Sequence, residues 1–233
     1  MTALFREEPY TARCQARVTA VDERGIQLDR TVFYPLGGGQ PGDTGRLRWE
    51  GGEIAIVDAR KGEAPDSVLH LPAGPCPLQP GTIAEAEIDW PRRHRLMRMH
   101  TCLHLLCAVV PGQVTGGQIG AEKSRLDFDV PGDSLDRDAI ETALNRLIAE
   151  GRAVTTRWIT AAELEARPEL VRTMSVKPPT ASGSVRLVEI EGTDLQPCGG
   201  THVANTAEIG RVAVAKIENK GRQNRRITVA LAE

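Results

Sequence analysis

The sequence predicts an α+β protein: a small N-terminal β-barrel, then an α/β domain with a mainly antiparallel sheet packed on helices. Three observations predict it. Short alternating runs separated by turn residues fill positions 1–89, the pattern of a small all-β unit. An uninterrupted helical stretch follows at 92–110, with no Gly or Pro inside it. After that, strand-like and helix-like segments succeed each other to the C-terminus. The boundary is expected near Trp90-Pro91, giving units 1–89 and 90–233.

In the first unit, Gln15 to Val21 alternates, Asp22-Glu-Arg-Gly25 supplies a turn, and Ile26 to Asp29 returns as a hairpin partner. Gly45 to Glu50 and Glu53 to Asp58 flank Gly51-Gly52, a second hairpin, and Ser67 to Leu71 and Thr82 to Asp89 add two strands. Between them lies Thr31-Val-Phe-Tyr-Pro-Leu-Gly-Gly38-Gly39-Gln40-Pro-Gly-Asp43-Thr-Gly45, with five glycines in nine residues. So much bare backbone is either a tight barrel turn or a loop that approaches a ligand closely. No Gly-Lys-Ser/Thr follows, so it is not a phosphate-binding P-loop.

In the second unit, Pro111-Gly112 stops the long helix, and Gln118 to Gly120 and Lys123 to Val130 read as strand. Asp136 to Glu150 reads as an amphipathic helix with Ile140, Leu144, Leu147 and Ile148 on one side, closed by Gly151. Ala153 to Ile159 is a strand, Thr160-Ala-Ala-Glu163 a capping box limited by Pro168, and Lys177 to Ser184 a loop. Val185 to Ile190 is a strand, and Glu208 to Glu218 and Arg226 to Leu231 close the sheet.

Composition excludes several classes. Lys and Arg number 29 against 31 Asp and Glu, a net charge of −2 that names no partner. Cys14, Cys76, Cys102, Cys107 and Cys198 lack the spacing of a disulfide framework, which suits a reducing cytoplasm. No apolar run approaches membrane-span length and the N-terminus lacks a signal-peptide pattern, so a cytoplasmic protein away from membranes is expected. No obligate protein partner is evident.

The chemistry concentrates in two short motifs. His100 and His104 stand four apart on the expected helix, on one face, where both can reach one ion. Cys198 and His202 also stand four apart, but Gly199-Gly200 breaks any helix between them, so a strand-to-loop turn is expected. Three of the five histidines fall in these motifs, which favours a shared metal over scattered packing roles. Imidazole nitrogen and thiolate sulfur together are the ligands of Zn2+. Thr101 follows His100, so the glutamate base of an HExxH protease is absent. Four protein ligands describe a closed, structural site; catalysis needs one position open. Lys216, Lys220, Arg222, Arg225 and Arg226 cluster near the C-terminus, offset by Glu218, either as a solvated face or as a phosphate contact.

His100-Thr-Cys-Leu-His104-Leu-Leu, Leu195-Gln-Pro-Cys198-Gly-Gly-Thr-His202-Val and Lys220-Gly-Arg-Gln-Asn-Arg-Arg-Ile resemble the editing domain of alanyl-tRNA synthetase. Phe33 to Gly45 resembles the Gly-rich segment of the accompanying barrel. With no aminoacylation core ahead of these motifs, the chain is similar to the free-standing alanyl-tRNA editing proteins, the AlaX family, of medium size. The second unit is also similar, more distantly, to the editing domain of threonyl-tRNA synthetase.

The resemblance implies zinc-dependent ester hydrolysis of mischarged tRNA-Ala, carrying serine and in some members glycine. It implies zinc ligation by His100, His104, Cys198 and His202. It implies substrate contacts at Thr31, Gly38, Gly39, Gln40, Asp43 and Gln118, with Thr31 reading the serine hydroxyl. It further implies tRNA contacts at Arg92, Arg93, Arg95, Lys216, Lys220, Arg222, Asn224, Arg225 and Arg226. Two rivals are a tRNA-binding module with structural zinc and a zinc hydrolase of small esters or amides.

Overall fold

The computed structural model describes residues 1–64, 66–130, 135–171 and 183–232. The chain divides into two compact units, Met1–His94 and Arg95–Glu233.

The first unit begins with a two-residue strand, β1 (Thr2–Ala3), and one turn of helix, α1 (Leu4–Glu7). Then come β2 (Arg13–Asp22), β3 (Gly25–Leu28), the two-residue β4 (Arg30–Thr31), β5 (Gly45–Trp49), β6 (Gly52–Lys61), β7 (Val68–Pro72) and β8 (Ile83–Ile88). Among the described residues, six of these close a barrel in the order β2-β3-β7-β6-β5-β8, while β1 pairs with β4. Closure gives each of the six barrel strands a partner on both sides. Alternation puts Val18, Leu28, Leu47, Ile56, Ala84 and Ala86 inside.

Glycines are needed where strands cross closely. A Cβ on Gly42 would meet the Ala59 backbone, and one on Gly45 the Glu87 carbonyl. The tip is a tight turn: Gly38 and Gly39 have φ of 57° and 79°, and Gly37 and Gln40 exchange amide–carbonyl bonds at 3.0 Å.

Polar groups lock the barrel interior. Asp43 forms a fully buried ion pair with Arg93. The Arg93 guanidinium also donates to Val32 O at 2.7 Å and Pro9 O at 3.1 Å, and Asp43 accepts from the Tyr34 amide at 2.6 Å. His70 is fully buried, and burial outweighs its bond to Ile26 and lowers its pKa to about 4. Neutral His70 donates from Nδ1 to Ile26 O (2.9 Å). Its Nε2 therefore accepts from the Thr31 hydroxyl at 2.7 Å.

A pH dependence follows. The unfolded imidazole binds a proton near pH 6.5 that the folded one refuses down to about 4. The unfolded state then holds more protons between those values, so stability falls as pH drops through that window. This group should cost about 3 kcal/mol by pH 4. Urea unfolding between pH 7 and 4 should show that loss, with a visibly shallower pH slope in His70→Gln.

The helix α2 (Trp90–Val109) carries the division between the units after His94. From Met99 to Cys107 every residue is buried. Beyond it lie β9 (Gln113–Gln118), β10 (Lys123–Asp129), α3 (Arg137–Ala149), β11 (Val154–Thr160), α4 (Ala161–Glu165), β12 (Ser184–Ile190), β13 (Asp194–Pro197), β14 (Val212–Asn219) and β15 (Asn224–Leu231). Among the described residues they form a four-stranded sheet, β14-β15-β10-β9, and a three-stranded sheet, β11-β12-β13, both antiparallel.

The caps behave as their residues dictate. Asp136 accepts from the amides of Asp138 and Ala139 to start α3, and Thr160 and Glu163 close a reciprocal box at α4.

Several expectations need correction. Of the strand expected from Gln118 to Gly120 only Gln118 is in one: β9 runs earlier, Gln113–Gln118, because its pairing with β10 reaches back through Gly116-Gly117 and ends at Gln118 opposite Arg125. Residues 194–197, assigned to no element by the sequence, form β13 on β12. Thr206–Ile209 is a 3-10 turn capped by Asn205, so β14 starts at Val212 rather than at Glu208. Of the loop expected from Lys177 to Ser184, positions 177–182 lie outside the described residues, and Ser184 opens β12.

Candidate metal centre

α2 supplies two ligands from one face. His100 and His104, one turn apart, have ring centroids separated by 5.5 Å. The loop after β13 brings the His202 ring to 4.3 Å from His100 and 4.7 Å from His104. Cys198 Sγ lies 3.4 Å from His100 Nε2 and 3.3 Å from His202 Nε2. The four ligand atoms fall within 4.8 Å of one another, and the three rings are buried. Zinc with arms of about 2.0–2.3 Å in a tetrahedron needs ligand edges of roughly 3.3–3.8 Å. The two sulfur–nitrogen edges match that range, and three imidazoles with one thiolate suit a borderline-soft divalent ion.

Three of the four candidate ligands are held from behind. His104 Nδ1 donates to Asp194 Oδ2 at 2.8 Å, which turns Nε2 inward. Gln196 Nε2 donates to the same oxygen at 2.8 Å. The Thr101 hydroxyl donates to Met97 O at 2.9 Å and lies 3.1 Å from His202 Nδ1. With its proton so used, it accepts from Nδ1–H and leaves Nε2 of His202 a bare lone pair. Arg186 donates to the carbonyls of Cys198 (3.0 Å) and Gly200 (2.9 Å).

Electrostatics fit the same purpose. Burial opposes a thiolate at Cys198, but the His100 and His202 imidazoles outweigh it and hold the pKa well below the ordinary thiol value. Burial and the neighbouring His100 push His202 down, keeping it neutral. At His104 burial pulls downward, while Asp194 and Cys198 raise the pKa to about 10. A metal held by this group would take the place of that proton on Nε2. Cys102, inside the same motif, points elsewhere, and burial drives its thiol up to about 12.

The structure brings the four expected ligands together in the second unit. Gln118 is exposed there, at the end of β9 opposite Arg125. Thr31, Gly38, Gly39, Gln40 and Asp43 belong to the first unit. Thr31 is fully buried, bonded to His70 and accepting from the Phe33 amide at 3.0 Å. Gln40 is buried, while Gly38 and Gly39 are exposed.

Of the residues expected to meet RNA, Arg95, Lys216, Lys220 and Arg222 are exposed, and Arg92, Asn224 and Arg226 partly so. Lys216 and Lys220 share Glu218, and Arg226 forks onto Asp127 at 2.7 and 2.8 Å. Arg93 and Arg225 are buried rather than surface cations. The first is engaged by Asp43; the second closes its hairpin on Asn219 Oδ1 and Gly221 O.

Sequence reasoning missed Thr101, Arg186, Asp194 and Gln196. The alternation Asp194-x-Gln196-x-Cys198 was a usable signal, since strand period puts all three on one face.

Residues 185–228 match the family described as the threonyl and alanyl tRNA synthetase second additional domain, and residues 3–92 match class II (A) tRNA synthetases. The chain is 38% identical over 244 residues to the alanyl-tRNA editing protein AlaX-M of Methanosarcina mazei, spanning 99% of this chain and 96% of that one. It is 34% identical to the AlaX-M protein of Saccharolobus solfataricus, over 96% of both. To the alanine–tRNA ligase of Aeropyrum pernix it is 36% identical, over 89% of this chain but 23% of the ligase.

Proposed function

This chain belongs to the AlaX-M family of alanyl-tRNA editing proteins, and from that premise we propose that it is a cytoplasmic hydrolase that deacylates mischarged tRNA-Ala. Its substrate is Ser-tRNA-Ala and, secondarily, Gly-tRNA-Ala. Its cofactor is Zn2+ held by His100, His104, Cys198 and His202. The observation that carries the reading is the convergence of three imidazoles and a thiolate with sulfur–nitrogen edges of 3.3 and 3.4 Å. No described helix is long and apolar enough to cross a membrane.

The ester joins the amino acid to the terminal ribose, and water cleaves it. Bound zinc supplies a Lewis acid that polarises or anchors the aminoacyl group. The protein's own groups do the rest. A site that bonds the serine hydroxyl strongly disfavours alanine, which lacks it; Thr31, expected in that role, is instead fully buried with its hydroxyl given to His70, so it holds the barrel rather than the substrate. Gly38 and Gly39 are exposed at the tip of the Gly-rich loop, and buried Gln40 and Asp43, the latter tied to Arg93, shape that loop. Arg92, Arg95, Lys216, Lys220, Arg222, Asn224 and Arg226 face the RNA backbone, where clustered cations hold a polyanion locally.

The test is amino-acid release from Ser-tRNA-Ala and Ala-tRNA-Ala by zinc-loaded protein. Rapid loss of serine with alanine spared, abolished by a chelator, is the expected result. A second reading, a tRNA-binding module with structural zinc, draws on the four protein ligands, which fill a tetrahedral shell. Tight tRNA binding with the seryl ester intact over hours would favour it.

A further inference from the structure

β12 and β13 form the back wall of the metal centre, and their register decides what stands there. Ile190 pairs with Asp194 and Val188 with Gln196. The ladder runs one step further, because the Cys198 amide donates to Arg186 O at 3.0 Å. Directly opposed residues of an antiparallel pair share a face, as do every second residues of a strand. Asp194, Gln196, Cys198 and Arg186 therefore share one face, and none of them but Cys198 is a candidate ligand.

We infer that Asp194 and Arg186 are positioning residues that preorganise the metal set. Asp194 dictates which nitrogen His104 presents, and Arg186 fixes the backbone that carries Cys198. The inference rests on the proposed reading only in taking a divalent ion as the occupant.

The physical case for Asp194 is orientation and basicity. Its carboxylate is buried and sits 2.8 Å from His104 Nδ1, with Gln196 steadying the same oxygen. A ring that donates Nδ1–H to a carboxylate cannot turn, and its Nε2 becomes a stronger donor to a metal.

The case for Arg186 is entropy. Cys198 is followed by two glycines, and nothing lies within 4 Å of where a Gly199 side chain would begin. Such a segment samples many conformations unless held. One guanidinium nitrogen of Arg186 bonds the carbonyls at both ends of that step, at Cys198 and Gly200. The loop so fixed also turns the Gly200 amide toward Cys198 Sγ, at 3.4 Å.

The test uses the full chain without RNA. Zinc and cobalt(II) affinities are measured by competition with a chromophoric chelator, alongside the cobalt absorption spectrum and the melting temperature of the metal-free protein. Asp194→Asn keeps shape and removes charge; Arg186→Met keeps the stem and removes the donors. Each should bind metal about 10- to 100-fold more weakly. Metal-free melting should stay within a few degrees of the parent in Asp194→Asn, which separates positioning from general weakening. The thiolate-to-cobalt band should persist in Asp194→Asn and weaken in Arg186→Met. Glu189→Gln, on the opposite face of β12, should bind like the parent. Parent-like affinity in both Asp194→Asn and Arg186→Met overturns the inference, and if Arg186→Met does not fold, Asp194→Asn decides alone. A parent chain that binds neither ion overturns the zinc reading itself, a distinct result.

Discussion

Cys198→Ala is expected to release the metal and to lower deacylation of Ser-tRNA-Ala by at least about 100-fold. Outer partners of a metal ligand already change affinity about 10- to 100-fold, so loss of the ligand itself should exceed that. Cys198 is the one anionic donor in a set whose other members are imidazoles, and those imidazoles hold it as thiolate against the effect of burial. Without sulfur, three imidazoles remain and no anionic donor in the group faces a divalent ion. Cys102→Ala is the control. That thiol is buried and protonated, so its loss should cost roughly 1 kcal/mol of packing and leave metal content intact. Elemental analysis and single-turnover hydrolysis on both variants make the comparison. Retention of metal and activity by Cys198→Ala would sink the zinc-dependent reading.

The second large effect lies in the barrel. Asp43→Asn should destabilise the first unit by about 3–5 kcal/mol, because it leaves the Arg93 guanidinium buried without its counter-charge. The residue is tied three ways: to Arg93 through both oxygens, and to the Tyr34 amide at 2.6 Å. Removing both charges, as Asp43→Asn with Arg93→Met, should recover part of the loss, since no uncompensated ion then remains inside. Urea unfolding of the three variants tests it. A single Asp43→Asn within about 1 kcal/mol of the parent would mean the pair is solvated in solution.

These two expectations came from different depths of reading. The metal pairs were legible because each is a short-range pattern. His100 and His104 need only a helix to meet, and Cys198-Gly-Gly-Thr-His202 needs only a loop. The barrel was legible in the same way, from alternation and turn residues, and the strands of its hairpins fall close to where the pattern put them. Strand β13 was not. Its alternation spans only four residues and ends in Pro197, too short to set a strand apart, and pairing with β12 is what makes one.

The roles of individual charges were the least legible. Arg93 sits in a basic run, beside Arg92 and Arg95, and nothing local distinguishes it from a surface cation. The fold sends it inward to an aspartate fifty positions away, while Arg95 stays exposed. Arg225 and Arg226 are adjacent, yet the strand pleat turns one into its own hairpin and the other out toward Asp127.

The sequence by itself determined the α+β class, the two residue pairs that meet as a candidate metal group, and the family. All of these depend on composition and on spacings within a few residues, where chain geometry leaves few alternatives. Only the tertiary structure decided which polar residues stand behind the ligands and which cations reach the surface. Asp194 meets His104 across ninety residues of chain, and Thr101 meets His202 across 101. Contacts of that span are fixed by strand register and burial, which no local pattern encodes.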